Sequence, residues 1–217
     1  MLKESTYAAV DALIARYPAL SVCRGDLRAA VETICESFRA GRKLITCGNG
    51  GSAADAEHIV GELMKGFLLP RPLSAELKEH LQRVCPQEAA YFSENLQGTL
   101  PAMSLVNQIA LNTAFANDQA PDLCFAQQIL GMGQEGDTLL AISTSGNSAN
   151  VLYAVQMAKA KGVKTIALTG KSGGRLRDIA AICVRVPDDE TYRIQEYHLP
   201  VYHMLCIAAE NEFFGGK

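Results

Sequence analysis

The chain has 217 residues, of which 48% are hydrophobic and 20% are charged, an ordinary composition for one globular domain. Its 20 Lys and Arg and 23 Asp and Glu residues give a net charge of -3. We therefore expect no nucleic-acid partner, since such a partner calls for a basic surface. No apolar run approaches the roughly 20 residues that cross a bilayer, and the N-terminus lacks a signal-peptide pattern, so we also expect no membrane span.

Seven cysteines are distributed along the chain. Their odd number and the lack of any CxxC spacing argue against a disulfide framework and against a zinc site made of cysteines. Apolar neighbours favour small buried side chains at most of these positions. The pattern predicts a protein of the reducing cytoplasm.

The first part of the chain, residues 1–41, is predicted to be a helical arm. Two amphipathic helices are expected over residues 2–17 and 26–40, and the apolar residues of the second recur at helical spacing. Gly41 is placed to end that second helix.

Strands and helices alternate along most of the remaining chain. Residues 67–100 interrupt this order, and their prolines predict an irregular insertion with one short helix over 74–84. The alternation predicts an α/β fold with a parallel sheet covered by helices on both faces, and binding sites at the carboxyl ends of its strands. The strands are expected at 43–47, 101–105, 137–142, 164–168 and 179–186, and the helices at 52–66, 107–117, 147–161 and 191–213.

The sequence Cys-Gly-Asn-Gly-Gly-Ser at residues 47–52 leaves a predicted strand and opens a predicted helix. Its glycines allow a tight turn whose N–H groups converge on an anion, and the helix N-terminus adds positive potential. The spacing matches neither the dinucleotide fingerprint nor the P-loop. An ordinary strand-to-helix turn is the alternative interpretation.

A second loop, Ser-Thr-Ser-Gly-Asn-Ser at residues 143–148, carries four hydroxyl groups after another predicted strand. One such side chain suffices to cap a helix, so the surplus indicates a phosphate site. The glycine-rich turn at 169–174 is a weaker candidate, and a structural loop is at least as consistent with it.

Two helices carry residue types suited to proton transfer or metal binding. His58 and Glu62 lie four residues apart, on one face of the helix that starts at Ser52. Gln195 and His203 lie on the last predicted helix. Taken alone, the pair on the first helix is more simply interpreted as an exposed ion pair. The two residues on the last helix are more simply interpreted as polar side chains that have hydrogen-bond partners within the fold.

Read together, these motifs resemble the bacterial phosphoheptose isomerases, which are SIS-domain (sugar isomerase) proteins that convert sedoheptulose 7-phosphate to a heptose 7-phosphate. The resemblance covers nearly the whole chain outside residues 67–100, and the motifs occur in the family's order. The motifs that carry it are GNGGSAADAEH at 48–58, GD at 136–137, ISTSGNSANV at 142–151, LTGK at 168–171 and RIQE at 193–196.

The resemblance implies one SIS domain over residues 1–217, with a three-layer fold around a five-stranded parallel sheet. It also implies a phosphorylated sugar substrate and a homotetramer with sites at subunit interfaces. Zn²⁺ binds in some members, one ion per subunit, at the positions of His58, Glu62, Gln195 and His203.

The family's proposed acid/base pair corresponds to Glu62 and His203. Such a pair moves a proton between adjacent carbons through an enediol, with the carboxylate serving carbon and the histidine serving oxygen. The positions that correspond to sugar contacts are Asn49, Gly50, Gly51, Ser52 and Gln195, and those that correspond to phosphate contacts are Ser143, Thr144, Ser145 and Ser148.

The chain departs from the family pattern at three places. Asn107-Gln108 stands where members usually carry Ser or Thr followed by a substrate-contacting Asp, so amides replace a carboxylate in this expected substrate contact. Lys65-Gly66-Phe67 replaces Gly-Arg-aromatic, and Tyr192 precedes Arg193 where a smaller or acidic residue is common.

Two other functions share part of this pattern. One is a non-catalytic SIS-domain protein that binds a replication initiator, and the other is a sugar-phosphate sensor without turnover. The complete set of His58, Glu62, Gln195 and His203 favours the enzyme, because a binding module has no stated need for it.

Overall fold

The computed structural model describes residues 2–216, in which strands and helices alternate as the sequence predicts. The strands are β1 (Leu44–Cys47), β2 (Ala102–Ser104), β3 (Thr138–Ile142), β4 (Lys164–Thr169) and β5 (Ile182–Arg185). The helices are α1 (Glu4–Arg16), α2 (Arg24–Arg39), α3 (Gly51–Met64), α4 (Ala75–Val84), α5 (Ala89–Asn95), α6 (Ile109–Asp118), α7 (Cys124–Met132), α8 (Ala149–Ala160), α9 (Leu176–Ile179) and α10 (Thr191–Phe214), with 3-10 turns at Pro18–Cys23 and Pro121–Leu123.

The five strands form one parallel sheet in the order β2-β1-β3-β4-β5. This confirms the predicted α/β class and the five-stranded parallel sheet. β1 and β3 are neighbours, and Cys47 at the end of β1 lies opposite Ala141 near the end of β3. The loops that follow these two strands therefore leave the sheet side by side.

Successive side chains of the strands pack on opposite faces of the sheet, as strand geometry requires. Leu140 and Ile142 join a core with α1, α2, α3 and α10, whereas Leu139 and Ala141 join a core with α7 and α8. Both faces are covered, which gives three layers and explains why β1 and β3 are buried at every position. No helix within residues 2–216 combines the length and the apolarity needed to cross a membrane.

Several elements differ from those expected. Residues 67–100 contain two helices, α4 and α5, instead of one. The strand expected over 179–186 is only Ile182–Arg185, because a single helical turn, α9, precedes it. Leu176 begins that turn, is fully buried, and donates its N–H to the carbonyl of Gly146 at 3.0 Å.

A buried ion pair fixes the chain that follows α3. The side chains of Arg71 and Glu210 are fully buried, with Nε and Oε1 2.8 Å apart. The Glu210 carboxylate also accepts the N–H groups of residues 67–69 at 2.7 to 3.1 Å. Arg71 donates in turn to the carbonyls of Leu63 and Glu62 at the end of α3, at 2.7 and 3.2 Å. Removing one partner of such a pair typically costs about 3–5 kcal/mol.

His198, on α10, is also fully buried. Burial lowers its pKa from 6.5 to about 4, and the backbone of Thr169 opposes this effect only in part. Between pH 6.5 and pH 4 the unfolded chain therefore binds a proton at this histidine that the folded chain does not bind. Its contribution to stability is complete above pH 6.5 and is lost as the pH falls toward 4.

We expect the thermal midpoint of His198→Gln to fall less steeply than that of the wild type between pH 6.5 and pH 4. Scanning calorimetry across this range measures the slope. His80→Gln, which changes an exposed histidine of α4, serves as the control and should keep the wild-type slope. An unchanged slope in His198→Gln would contradict the assignment.

Candidate active site

A cleft of about 330 Å³ opens at the carboxyl ends of β1 and β3. It lies between the starts of α3 and α8, where helix N-termini supply positive potential. Eight of the residues expected to bind substrate meet here, together with Ile142 and Thr191. The lining residues are Asn49, Gly50, Gly51, Ser52, Ile142, Ser143, Thr144, Ser148, Thr191 and Gln195.

The first loop is fastened to the start of α8 beside the cleft. The amides of Asn49 and Asn150 exchange two hydrogen bonds, of 2.9 and 2.8 Å. Asn150 Oδ1 also accepts the N–H of Val151 at 3.0 Å, and Ser148 makes no side-chain cap to α8. The Ser148 hydroxyl instead lies 3.1 Å from that of Ser143. The Ser148 hydroxyl is therefore not used as a helix cap, and both hydroxyls line the cleft.

The turn at 169–174 supports the hydroxyl loop. Gly170 donates its N–H to the carbonyl of Thr144 at 2.9 Å, and Leu176 bonds Gly146 from the same side. Gly146 has φ +65°, and a Cβ there would lie 1.9 Å from the carbonyl oxygen of Gly173. The close packing of these loops requires glycine at this position. The turn at 169–174 therefore has a structural role, which is one of the two interpretations that the sequence allowed.

Gln195 reaches the cleft because residue 51 is glycine. A Cβ on Gly51 would stand 2.3 Å from Nε2 of Gln195, so any larger residue displaces this amide. Thr191, at the start of the same helix, also lines the cleft. Sequence reasoning missed Thr191, although its place just before the Arg-Ile-Gln-Glu motif was a usable signal.

The second group of predicted residues forms a cluster where α3 meets α10. His58 Nε2 lies 3.1 Å from Glu62 Oε1, and Lys65 Nζ lies 2.9 Å from Glu62 Oε2. The ring of His203 is edge-on to that of His58, with centroids 5.1 Å apart. The side chain of Glu62 is 13% exposed and that of His58 is 43% exposed. The structure thus brings His58, Glu62 and His203 together on one open surface.

The surroundings set the charge of this cluster. Partial burial raises the pKa of Glu62, but hydrogen bonds and charges from Lys65 and His58 outweigh it and leave the pKa lowered. Burial lowers the pKa of His203, and nearby His58 adds to that effect, while Glu62 opposes it. At neutral pH the cluster therefore holds an ionised carboxylate beside a neutral imidazole, a pair suited to moving protons.

The same cluster supplies donors of the types that zinc takes. His203 Nε2 is buried and has no hydrogen-bond partner within residues 2–216. Glu62 and His58 offer an oxygen and a nitrogen, but they bond each other. As the side chains stand in the described part of the chain, no three His, Cys, Asp or Glu residues are arranged to hold a metal ion. A metal there would have to displace the His58–Glu62 contact.

Three residues expected to contact substrate do not line the cleft. Ser145 is exposed, and its hydroxyl accepts the N–H of Asn147 at 3.2 Å. Asn107 and Gln108 are exposed where α6 begins, and their side chains contact each other at 3.4 Å. Within a single chain these residues face solvent.

Comparisons of the sequence and of the structure with known proteins identify the family of this chain. The SIS domain family model matches residues 10–99 and 92–170. The phosphoheptose isomerase of Akkermansia muciniphila is 35% identical over 200 residues, which cover 92% of each chain. That of Thiobacillus denitrificans is 42% identical over 185 residues, which cover 84% of this chain and 81% of the relative.

Solved structures agree with the sequence relatives. A phosphoheptose isomerase from Francisella tularensis superimposes with a TM-score of 0.74 at 31% identity, covering 91% of each chain. One from Neisseria gonorrhoeae gives a TM-score of 0.73 at 30% identity, covering 93% of this chain and 94% of the other. By domain, by sequence over nearly its whole length and by fold, the chain belongs to the phosphoheptose isomerase family of SIS-domain proteins.

Proposed function

We propose that this protein is an aldose–ketose isomerase that converts sedoheptulose 7-phosphate to D-glycero-D-manno-heptose 7-phosphate. The observation that carries the proposal is the combination of a hydroxyl-lined cleft at two helix N-termini with a Glu62–His203 cluster on the adjoining helices. Membership of the phosphoheptose isomerase family supports the same reaction.

The phosphate end of the substrate is assigned to the cleft. Ser143, Thr144 and Ser148 offer hydroxyl donors, and the first turn of α8 adds backbone N–H groups. Hydrogen bonds from such donors to a charged phosphate are short and strong. The Asn49–Asn150 contact keeps the opposite wall, where the sugar hydroxyls would lie, in place.

The reacting end of the substrate is assigned to the α3–α10 cluster. At about 1.5 Å per helical residue, His58, whose ring lies 3.1 Å from the Glu62 carboxylate, stands roughly 10 Å along α3 from Gly51. Such a separation suits a seven-carbon sugar, because its reacting carbons C1 and C2 are remote from a phosphate on C7. Glu62 removes a proton from C1 while His203 protonates O2, which gives the enediol. Return of the proton to C2 and removal of the O1 proton complete the aldose.

We also propose a cytoplasmic homotetramer with sites at subunit interfaces. In support, the side chain of His58 is 43% exposed in one chain, and Asn107 and Gln108 lie outside its cleft. A neighbouring subunit would cover the former and could bring the latter to a site. The seven cysteines, all within the described residues, are free, which suits a reducing compartment.

We propose in addition a metal-bound form in which zinc is held by His58, Glu62, Gln195 and His203, and in which Glu62 and His203, as ligands, are not free to act as base and acid. Nitrogen and oxygen donors of this kind fit zinc, and the buried Nε2 of His203 lacks any other partner in the described chain. When bound, zinc would act as a Lewis acid on the substrate carbonyl.

The first test concerns the proposed base. Glu62→Gln keeps the size of the side chain but removes its basic carboxylate, so we expect kcat to fall at least about 100-fold with an unchanged thermal midpoint. Turnover of sedoheptulose 7-phosphate measures the effect. Glu57→Gln, on the exposed face of the same helix, should retain full activity. Full activity in Glu62→Gln would refute the mechanism, and no turnover by the wild type would favour a binding protein.

The second test concerns zinc. Treatment with a chelator should abolish turnover, and added zinc should restore it. Independently of activity, calorimetric titration of the stripped protein should show one zinc ion per subunit, and His203→Ala should weaken that binding. Full turnover in chelator, together with no zinc binding, would remove the metal from the proposal.

The third test uses the close approach of Gln195 to Gly51. Gly51→Ala should displace this flexible amide from the cleft and raise KM, with little effect on folding because the neighbour is a side-chain end. Gly61→Ala, in the same helix with open space around it, is the matched control and should leave KM unchanged. Equal KM values in the two variants would show that Gln195 does not serve substrate binding.

A further inference from the structure

We propose that Asn150 is a positioning residue for substrate binding, which holds the side-chain amide of Asn49 in place for the sugar. This inference rests on the proposed isomerase function. Asn49 lines the cleft, whereas Asn150, the second residue of α8, is not among the residues that line it in the described chain. Asn150 therefore acts on the substrate only through Asn49.

One backbone contact settles the orientation of both amides. The N–H of Val151 can only donate, so the atom of Asn150 that accepts it at 3.0 Å is the oxygen Oδ1. Asn150 Nδ2 then donates to Asn49 Oδ1 at 2.8 Å, and Asn49 Nδ2 donates back to Asn150 Oδ1 at 2.9 Å. Two planar amides joined by two hydrogen bonds cannot turn independently.

The side chain of Asn49 depends on this pairing. Its main chain is held separately, because Ser52 donates its N–H to the Asn49 carbonyl at 3.0 Å. The side chain is exposed, and within residues 2–216 Asn150 is its one hydrogen-bond partner. An exposed amide without that partner would exchange freely between rotamers. The pairing thus preorganises Asn49, which lowers the entropic cost of binding a ligand.

The pairing also decides what Asn49 can offer to a ligand. A side-chain amide has two N–H donors and two oxygen lone pairs, and Asn150 uses one of each. One donor and one acceptor therefore remain on an amide that lines the cleft. Sugar hydroxyls both donate and accept, so they can use both groups, whereas a phosphate dianion only accepts. The free groups of Asn49 thus suit the sugar part of the substrate.

A double-mutant cycle separates this role from a simple tie between the first loop and α8. Asn49→Ala and Asn150→Ala should each raise KM for sedoheptulose 7-phosphate about three- to tenfold, with kcat within about twofold. The double variant should have the KM of Asn49→Ala alone, because Asn150 acts only through Asn49.

Two further variants serve as controls. Asn150→Ser keeps an oxygen for the N–H at the start of α8 but is too short to reach Asn49. It should keep the wild-type thermal midpoint and still raise KM. Asn147 lies in the same loop but bonds Ser145 and Arg175 instead of Asn49. The effect of Asn147→Ala on KM should therefore multiply with that of Asn49→Ala.

The amide of Asn49 can also be observed without substrate. In 1H–15N spectra, assigned with Asn49→Ala, one Nδ2 proton of Asn49 should exchange with water more slowly than the other. Asn150→Ser should remove this difference. The proposal would be overturned by equal exchange in the wild type, by an unchanged KM in Asn49→Ala or Asn150→Ser, or by effects of the two alanine substitutions that multiply. Absence of turnover by the wild type counts against the proposed function instead, and the amide remains measurable.

Discussion

The buried contact between Glu210 and Arg71 is the interaction on which the reacting end of the site depends. Burying a carboxylate costs free energy unless hydrogen-bond donors replace the water that it loses. Here four N–H donors from residues 67–71 bind the Glu210 carboxylate. Arg71 in turn donates a hydrogen bond to the backbone carbonyl of Glu62 near the end of α3, which ties the ion pair to that helix. The same segment places the ring of Phe67 5.4 Å from that of His203. One ion pair in the core thus fixes both sides of the proton-transfer cluster.

The phosphate end of the site depends on a separate constraint, the parallel pairing of β1 with β3. Their aligned ends bring two helix N-termini together, and the Asn49–Asn150 contact closes the gap between the loops. Sheet pairing therefore positions the proposed phosphate site, whereas packing of α10 on α3 positions the proposed proton-transfer pair. Gln195 joins the two parts, because it lines the cleft from the helix that also carries His203.

Much of the fold followed from local pattern. Strands β1, β3 and β4 are short apolar runs bounded by turns, and α3 and α8 follow glycine- and hydroxyl-rich loops, so their existence could be predicted. The Arg71–Glu210 pair could not, since its members lie 139 residues apart and only the folded chain shows that both are buried. The contact between Tyr202 and His58 is of the same kind, because its two members lie on different helices.

The departures from the family pattern fall outside the cleft that the two loops form. Asn107 and Gln108 are exposed at the start of α6, and Tyr192 is exposed with the Arg193 guanidinium 5.6 Å from its ring centroid. Lys65 contacts Glu62 from the rim. The hydroxyls proposed for phosphate and the pair proposed for proton transfer are retained, so these substitutions leave the reaction type in place. Asn107 and Gln108 face solvent in a single chain, so their contact with a substrate depends on the proposed subunit interface.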